Sequence, residues 1–117
     1  MTWAEQLLED EGEREQAARE FTLRAIRRGA DPINHWIVRT AYTESSVTLE
    51  ELEGDLGITR ATLSERVNDL VQVGLLERSV EGDAVQPTVL TAGFLGVVDD
   101  VTDRFAERIA DGLDDGG

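Results

Sequence analysis

The chain has 117 residues, of which 40% are hydrophobic and 5% aromatic, and this suits one domain with a modest core and extensions. It contains no cysteine, which excludes disulfides, thiolate metal sites and thiol-based redox sensing. No apolar run approaches the roughly 18 residues of a membrane span, and the first residues lack the basic start and apolar centre of a signal peptide. We therefore expect a cytoplasmic protein with no membrane partner.

The charge of the chain is strongly acidic. Its 25 Asp and Glu residues outnumber 11 basic residues and give a formal net charge of −14, and every basic residue is arginine. An acidic excess without lysine resembles the proteins of halophilic archaea that accumulate KCl, in which a dense carboxylate surface keeps the protein hydrated. Codon bias in any high-GC genome would also replace lysine by arginine. We favour the halophilic, archaeal interpretation and thus a high-salt cytoplasm.

Residues 1–29 predict a helical extension. Gly12 lies in an acidic run and is expected to bend this helix or divide it into two pieces. After it, Ala18, Phe21 and Ala25 recur at helical spacing and form an apolar stripe that needs a partner surface. The acidic neighbours of its basic residues favour a solvated, ion-paired face over contacts with phosphate. Those basic residues are Arg14, Arg19, Arg24, Arg27 and Arg28.

A second helix is predicted to begin at Asp31 and Pro32, because Asp is a good N-cap and Pro is favoured at the first helical position. Ile33 and Trp36 then lie on one face, and we interpret Trp36 as a core residue rather than part of a ligand pocket. His35 is the single histidine of a chain without cysteine, which argues against a transition-metal site.

Two further helices are predicted between residues 48 and 74. Thr48 followed by Glu51 is a capping-box pattern for the first, and Gly57 is the expected stop. Thr59 is a good N-cap for the second. The apolar residues of both helices recur at helical spacing and are expected to face the core. They are Leu49, Leu52 and Leu56 in the first helix and Leu63, Val67 and Leu70 in the second.

Residues 75–90 predict a β-hairpin, with Gly82 in its turn and Pro87 suited to an edge strand. The tip is acidic, and Arg78, near the base, is the one basic residue of the hairpin. Val47 is expected to pair briefly with this hairpin.

A final helix is predicted from an N-cap at Thr91 to about Ile109, followed by an acidic, frayed tail. It would be about 30 Å long, more than a small domain covers, so we expect it to form a dimer interface with the first helix. An intrachain hairpin between the two terminal helices is the alternative. The predicted interface residues are Phe94, Val98, Val101, Phe105, Ile109, Phe21 and Trp3.

The segment Gly57-Ile58-Thr59-Arg60-Ala61-Thr62-Leu63-Ser64, followed by Val67, Leu70 and Gly74-Leu75-Leu76, resembles the core of winged helix-turn-helix transcription regulators of the MarR, ArsR and PadR type. The resemblance covers roughly Ile33 to Leu90, and it departs from the usual pattern at Glu53 and Gly54. It implies an α+β, mainly α fold with an N-terminal helical extension (1–29), a winged domain (30–90) and a C-terminal dimerisation helix with an acidic tail (91–117). Within the winged domain it implies a recognition helix (59–73) and a two-stranded wing (75–90).

The resemblance also implies which residues would contact DNA. A recognition helix enters the major groove, where Arg reads guanine, Asn reads adenine and a carboxylate accepts from cytosine. Base readout is assigned to Arg60, Thr62, Ser64, Glu65 and Asn68, with Ala61 on the same face. Backbone positioning is assigned to Thr59, Arg66 and Arg78. The alternative is that these are polar residues on a solvated face.

We therefore predict a sequence-specific DNA-binding transcription regulator that acts as a homodimer, with double-stranded DNA and a second copy of itself as partners. The sequence has no glycine-rich phosphate loop and no Ser/His/Asp arrangement, so we predict no enzymatic activity, no cofactor and no metal. The alternative is a winged-helix module that docks on the transcription machinery without binding DNA. Ligand sensing in a cleft between the terminal helices and Trp36 is a third possibility, and no particular effector is indicated.

Overall fold

The computed structural model describes the backbone of residues 2–115 and the side chains of residues 2, 5 and 11–113. The elements form a winged helix-turn-helix with a long helix at each end, and the predicted fold class is confirmed. In chain order they are α1 (Trp3–Gly29), α2 (Pro32–Glu44), β1 (Val47–Thr48), α3 (Leu49–Leu56), α4 (Arg60–Gln72), β2 (Leu76–Arg78), β3 (Ala84–Pro87) and α5 (Thr91–Asp115).

The sheet has three antiparallel strands in the order β1-β3-β2, in which β2 and β3 form the predicted two-stranded wing and β1 pairs with β3 on its other side. Val85 of the central strand pairs with Val47 on one side and with Arg78 on the other. The expected pairing of Val47 is thereby confirmed. The prediction that Pro87 lies on an edge strand is wrong, because β3 is the central strand. Pro87 is tolerated there because β1 does not extend that far, so Pro87 has a strand neighbour, Leu76, on one side alone.

The caps predicted from the sequence are confirmed at α2, α3 and α4. Asp31 Oδ1 accepts hydrogen bonds from the first-turn N–H groups of α2. Thr48 and Glu51 form the reciprocal capping box of α3, and Gly57 ends that helix at a φ of 65°. The Thr59 hydroxyl accepts from the Thr62 N–H at 3.2 Å and begins α4. These local signals set the tight turn between α3 and α4.

The core joins α2, α3, α4 and the sheet. Leu63, Val67 and Leu70 of α4 are fully buried, as predicted, and burying side chains of this size stabilises the fold by about 1.5–3 kcal/mol each. The prediction that Trp36 is a core residue is wrong, since it is 39% exposed. The buried face of α2 is formed by Ile37, Val38 and Ala41. Trp36 therefore lies at the edge of that face.

The ends of the terminal helices differ from prediction. α1 is continuous through Gly12, and α5 is helical to Asp115 rather than to about Ile109. Thr91 is the first residue of α5 rather than its N-cap. Its buried hydroxyl accepts from the Thr88 N–H and donates to the Leu75 carbonyl, each at 2.8 Å. Thr91 therefore anchors the start of α5 to the residue that precedes β2.

The terminal helices project from the winged domain. The Cα radius of gyration is 18.5 Å, whereas a compact chain of this length has roughly 13 Å. Phe94 is partly buried against the core and lies against Gly29, but no described residue covers the apolar stripe beyond Val98. Phe105, for example, is 65% exposed. The terminal helices therefore do not form the alternative intrachain hairpin. The predicted dimer-interface residue Trp3 lies outside the described side chains.

Every helix within residues 2–115 is either too short or too polar to cross a membrane.

Candidate nucleic-acid interface

The outward face of α4 is a continuous polar surface. Because Leu63, Val67 and Leu70 are held in the core, the helix can turn one side alone toward solvent. The structure brings the predicted readout residues together on that side. Arg60, Ala61, Thr62, Glu65 and Asn68 are exposed, and Ser64 is half-buried.

The N-terminal end of α4 has free donor capacity. Thr59 caps the Thr62 N–H and also donates its hydroxyl hydrogen to Thr62 Oγ1 at 3.0 Å. The N–H groups of Arg60 and Ala61 belong to the first turn, where a helix provides no acceptors of its own. Such N–H groups and the positive end of the helix dipole suit an anionic oxygen. The geometry supports a phosphate contact at this end.

Arg60 is tied to the preceding helix. Its Nη2 lies 2.7 Å from Glu53 Oε2 of α3, and both side chains remain partly exposed. The hydrogen bond from the guanidinium to Glu53 raises the pKa of Arg60, so the side chain stays charged. Sequence reasoning noted Glu53 only as a departure from the winged-helix pattern. The winged-helix pattern that the sequence resembles usually has a small residue at this position, packed against the second helix, and this resemblance indicates that position 53 faces α4.

Arg78 is tied to α4 rather than directed outward from the hairpin. Its Nη2 donates to Asn68 Oδ1 at 2.8 Å, and its Nη1 donates to the Gly82 carbonyl at 3.3 Å. The guanidinium thus bridges the wing turn and the outward face of α4. Sequence reasoning placed Arg78 and Asn68 at separate DNA contacts and missed this link.

Arg66 belongs to a hydrogen-bond network within the subunit. Its Nη1 donates to Asp31 Oδ1 at 2.7 Å and to Asn34 Oδ1 at 3.1 Å, and Asn34 Nδ2 donates to the Arg28 carbonyl at 2.9 Å. The Asn34 N–H, together with the Arg66 guanidinium, lowers the pKa of Asp31 below its ordinary value. The phosphate contact predicted for Arg66 would have to replace these bonds. Asp31 and Asn34 are site neighbours that sequence reasoning missed.

A polar groove of about 340 Å³ lies beside α4 where α1 meets α2. Within the part of the chain that the structure describes, Arg28 is the one α1 arginine with an ion pair, at 3.8 Å from Asp69 of α4. The other described α1 arginines are solvated and form no ion pair within 4.0 Å with any side chain that the structure describes. The groove is lined by Asn34 and Thr62 and by charged side chains of both signs. The basic ones are Arg27, Arg28 and Arg66, and the acidic ones are Asp31, Glu65 and Asp69.

No protein-family model matches the chain, and no curated protein matches it. Among solved structures it is similar to the transcriptional repressor BigR from Xylella fastidiosa, with a TM-score of 0.58 and 24% identity over 81% of this chain and 95% of that chain. A possible transcriptional regulator for arsenical resistance matches with a TM-score of 0.58 and 18% identity over 74% and 94% of the two chains. The multiple antibiotic-resistance repressor MarR from Listeria monocytogenes matches with a TM-score of 0.50 and 15% identity over 97% of this chain and 90% of that chain. The chain has the winged-helix fold of these regulators.

The wing of this chain is acidic at its tip. Glu81 and Asp83 flank Gly82, which adopts a φ of 79° in the turn, and both carboxylates are exposed. Ser79 Oγ donates to Asp83 Oδ1 at 3.2 Å and holds the turn. Because carboxylates repel phosphate, the tip is poorly suited to the DNA backbone. The polar surface suited to DNA is therefore the outward face of α4 rather than the wing tip.

Proposed function

We propose that the protein is a sequence-specific DNA-binding transcription regulator that acts as a homodimer in a high-salt cytoplasm. The observation that carries this proposal is the outward face of α4, which exposes Arg60, Thr62, Glu65 and Asn68 on one side of a helix whose other side is fully buried. A helix fits the major groove of B-DNA, and side chains on its exposed face reach base edges. The similar solved structures belong to proteins described as transcriptional regulators.

Each outward side chain has a role in this proposal. Arg60 would donate to guanine, Glu65 would accept from cytosine N4, and Asn68 would bond to the major-groove edge of a purine. Thr62 and Ser64 can donate to or accept from either kind of base edge. The capped N-terminal end of α4, at Thr59, would hold a phosphate. Ala61 would contact the thymine methyl group, and Arg66 and Arg78 are the remaining predicted contacts.

Homodimer formation is proposed from the exposed apolar stripe of α5. Val101, Phe105 and Ile109 are all about half exposed or more, and Leu113 extends the same surface. Pairing with a second copy would bury this stripe, together with Phe21 of α1. The partly buried Phe94 and Val98 would lie where this interface meets the core. In such a dimer two copies of α4 would lie roughly 34–36 Å apart, one turn of DNA.

The net charge of −14 opposes the approach of DNA at low ionic strength. In molar salt the screening length is about 3 Å, so distant carboxylates are screened and local contacts decide binding. Ordinary DNA-binding proteins lose affinity as salt rises because they release counterions. We expect this protein to show a shallow or reversed dependence on KCl. A steep ordinary loss of affinity would argue against the high-salt part of the proposal.

A mobility-shift assay in concentrated KCl with DNA from the protein's own promoter region tests the function. Wild type should shift the DNA, and Arg60→Ala should weaken the shift, because it removes a base contact. Arg104→Ala is the matched control, since Arg104 lies on α5 and pairs with Asp100. Absence of any shift, together with recovery of a protein partner by co-purification, would instead favour a winged-helix module that docks on the transcription machinery.

A further inference from the structure

The contact between Arg78 and Asn68 joins two elements that the proposed function uses separately. Arg78 lies on β2, in register with Val85, and Asn68 lies on the exposed face of α4, one turn after Ser64. Arg78 Nη2 donates to Asn68 Oδ1 at 2.8 Å, while Nη1 donates to the Gly82 carbonyl. The wing therefore reaches a side chain on the surface that would face DNA.

The chemistry of this contact fixes the orientation of the Asn68 amide. A guanidinium has donors and no acceptor, whereas an amide has an oxygen that accepts and a nitrogen that donates. Asn68 must therefore turn its oxygen toward Arg78 and its Nδ2 hydrogens away from it. No acceptor among the described residues bonds to Nδ2, and the side chain is exposed. The group offered to a ligand at this point is a pair of N–H donors beside a positive charge.

We propose that Arg78 is a positioning residue that makes Asn68 select guanine over adenine, an inference that rests on the proposed DNA-binding function. Reading of adenine by Asn needs Oδ1 to accept from N6 while Nδ2 donates to N7. Here Oδ1 is engaged in a charge-assisted bond, and the guanidinium would lie near the adenine amino group. Guanine presents two acceptors, N7 and O6. These match the free donors of Asn68 and are attracted by the charge of Arg78.

The same geometry makes distinct predictions for substitutions at Asn68 and at Arg78. Asn68→Asp keeps an acceptor for Arg78 but loses both donors, so its second oxygen would favour the N4 amino group of cytosine. Asn68→Ala removes readout at this base pair. Arg78→Lys keeps a cationic donor and should keep the preference for guanine, whereas Arg78→Ala releases the amide and should admit adenine.

The test begins with selection of the wild-type binding site from randomised DNA in concentrated KCl. Affinities are then measured for all four base pairs at each position of that site, with wild type, the four variants above and Arg104→Ala as control. The position read by Asn68 is the one at which Asn68→Ala loses its base preference. At this position wild type should prefer guanine over adenine by roughly tenfold, the scale of one good base contact. Arg78→Ala should abolish that ratio and leave the other positions unchanged.

Two results would overturn the proposal while leaving the DNA-binding function intact. One is a preference of wild type for adenine at the position that depends on Asn68. The other is an equal loss of affinity for all four bases in Arg78→Ala, with the same loss in Arg78→Lys, as expected if Arg78 merely braces the wing. Absence of sequence-specific binding by wild type is a different result, which would refute the proposed function and this inference together.

Discussion

Arg60 Nη2 lies 2.7 Å from Glu53 Oε2, so the side chain at the N-terminal end of α4 is held by α3, the helix before it. This ion pair connects the two helices of the helix-turn-helix at the point where DNA would approach. An exposed pair of this kind is weak because solvent screens it. DNA can therefore compete for Arg60, but Glu53 brings a negative charge to the same place.

Removal of the Glu53 charge is expected to strengthen DNA binding. Glu53→Gln should raise affinity roughly two- to fivefold, on the scale of an exposed ion pair, because Arg60 is released and a carboxylate near phosphate is neutralised. Fluorescence anisotropy with labelled promoter DNA measures the change. Glu107→Gln, on the exposed part of α5, is the matched control and should bind like wild type. Weaker DNA binding by Glu53→Gln than by wild type would mean that Glu53 orients Arg60 rather than competing with DNA.

The packing of Phe94 against Gly29 predicts opposite effects at two glycines of α1. A Cβ at Gly29 would overlap the Phe94 ring and lie 2.9 Å from Leu75 Cδ1, so Gly29→Ala should destabilise the fold by about 1–3 kcal/mol. Gly12 has no described atom within 4 Å of an added Cβ, and Gly12→Ala should stabilise the helix by up to about 1 kcal/mol. Chemical denaturation of both variants measures these differences. Equal effects would show that α5 does not pack on α1 as described.

The local features of this fold could be predicted from the sequence because their signals lie within a few residues. The capping box at Thr48, the turn at Gly57 and the cap at Thr59 each depend on neighbours no more than three positions away. The buried face of α4 follows from the spacing of Leu63, Val67 and Leu70 in the same way. The side of α4 that faces solvent could therefore be deduced from the order of apolar and polar residues alone.

The partners of the arginines could not be predicted, since they depend on how distant segments meet. Arg66 bonds to Asp31 and Asn34, which precede it by 35 and 32 positions, and the link from Arg78 to Asn68 needs the wing to fold back on α4. The start of α5 differed by one residue because Thr91 is engaged by the distant Leu75 carbonyl. In each case a tertiary hydrogen bond outweighed the local pattern.

Introduction of a charge on the exposed apolar stripe of α5 should prevent association. Phe105→Glu places a carboxylate in the proposed interface, where its burial without a partner is costly, and the protein should become monomeric with a large loss of DNA affinity. Ala110→Glu adds the same charge on another side of the helix and should remain dimeric. Sedimentation equilibrium in concentrated KCl gives the mass of each variant. A wild-type mass equal to that of one chain would contradict the homodimer.

The lowered pKa of Asp31 predicts a pH-dependent contribution to stability. A carboxyl group whose pKa is lower in the folded state stabilises the fold above its ordinary pKa of 3.8, and this contribution is lost as the pH falls through the folded-state value. Asp31→Asn keeps an N-cap acceptor but removes the charge that faces Arg66. The variant should be less stable than wild type at pH 6, and the difference should shrink as the pH falls below 3.8 and through the lowered pKa of Asp31. A difference that does not change with pH would exclude the ionic contribution.

Recognition of DNA through the outward face of α4 is tested most directly by NMR of the amide-labelled protein during titration with its promoter DNA in concentrated KCl. The largest amide shifts should fall on Arg60, Thr62, Glu65 and Asn68, with little change at the wing tip or along α5. Shifts confined to the acidic wing or to the terminal helices, with α4 unaffected, would contradict this mode of binding.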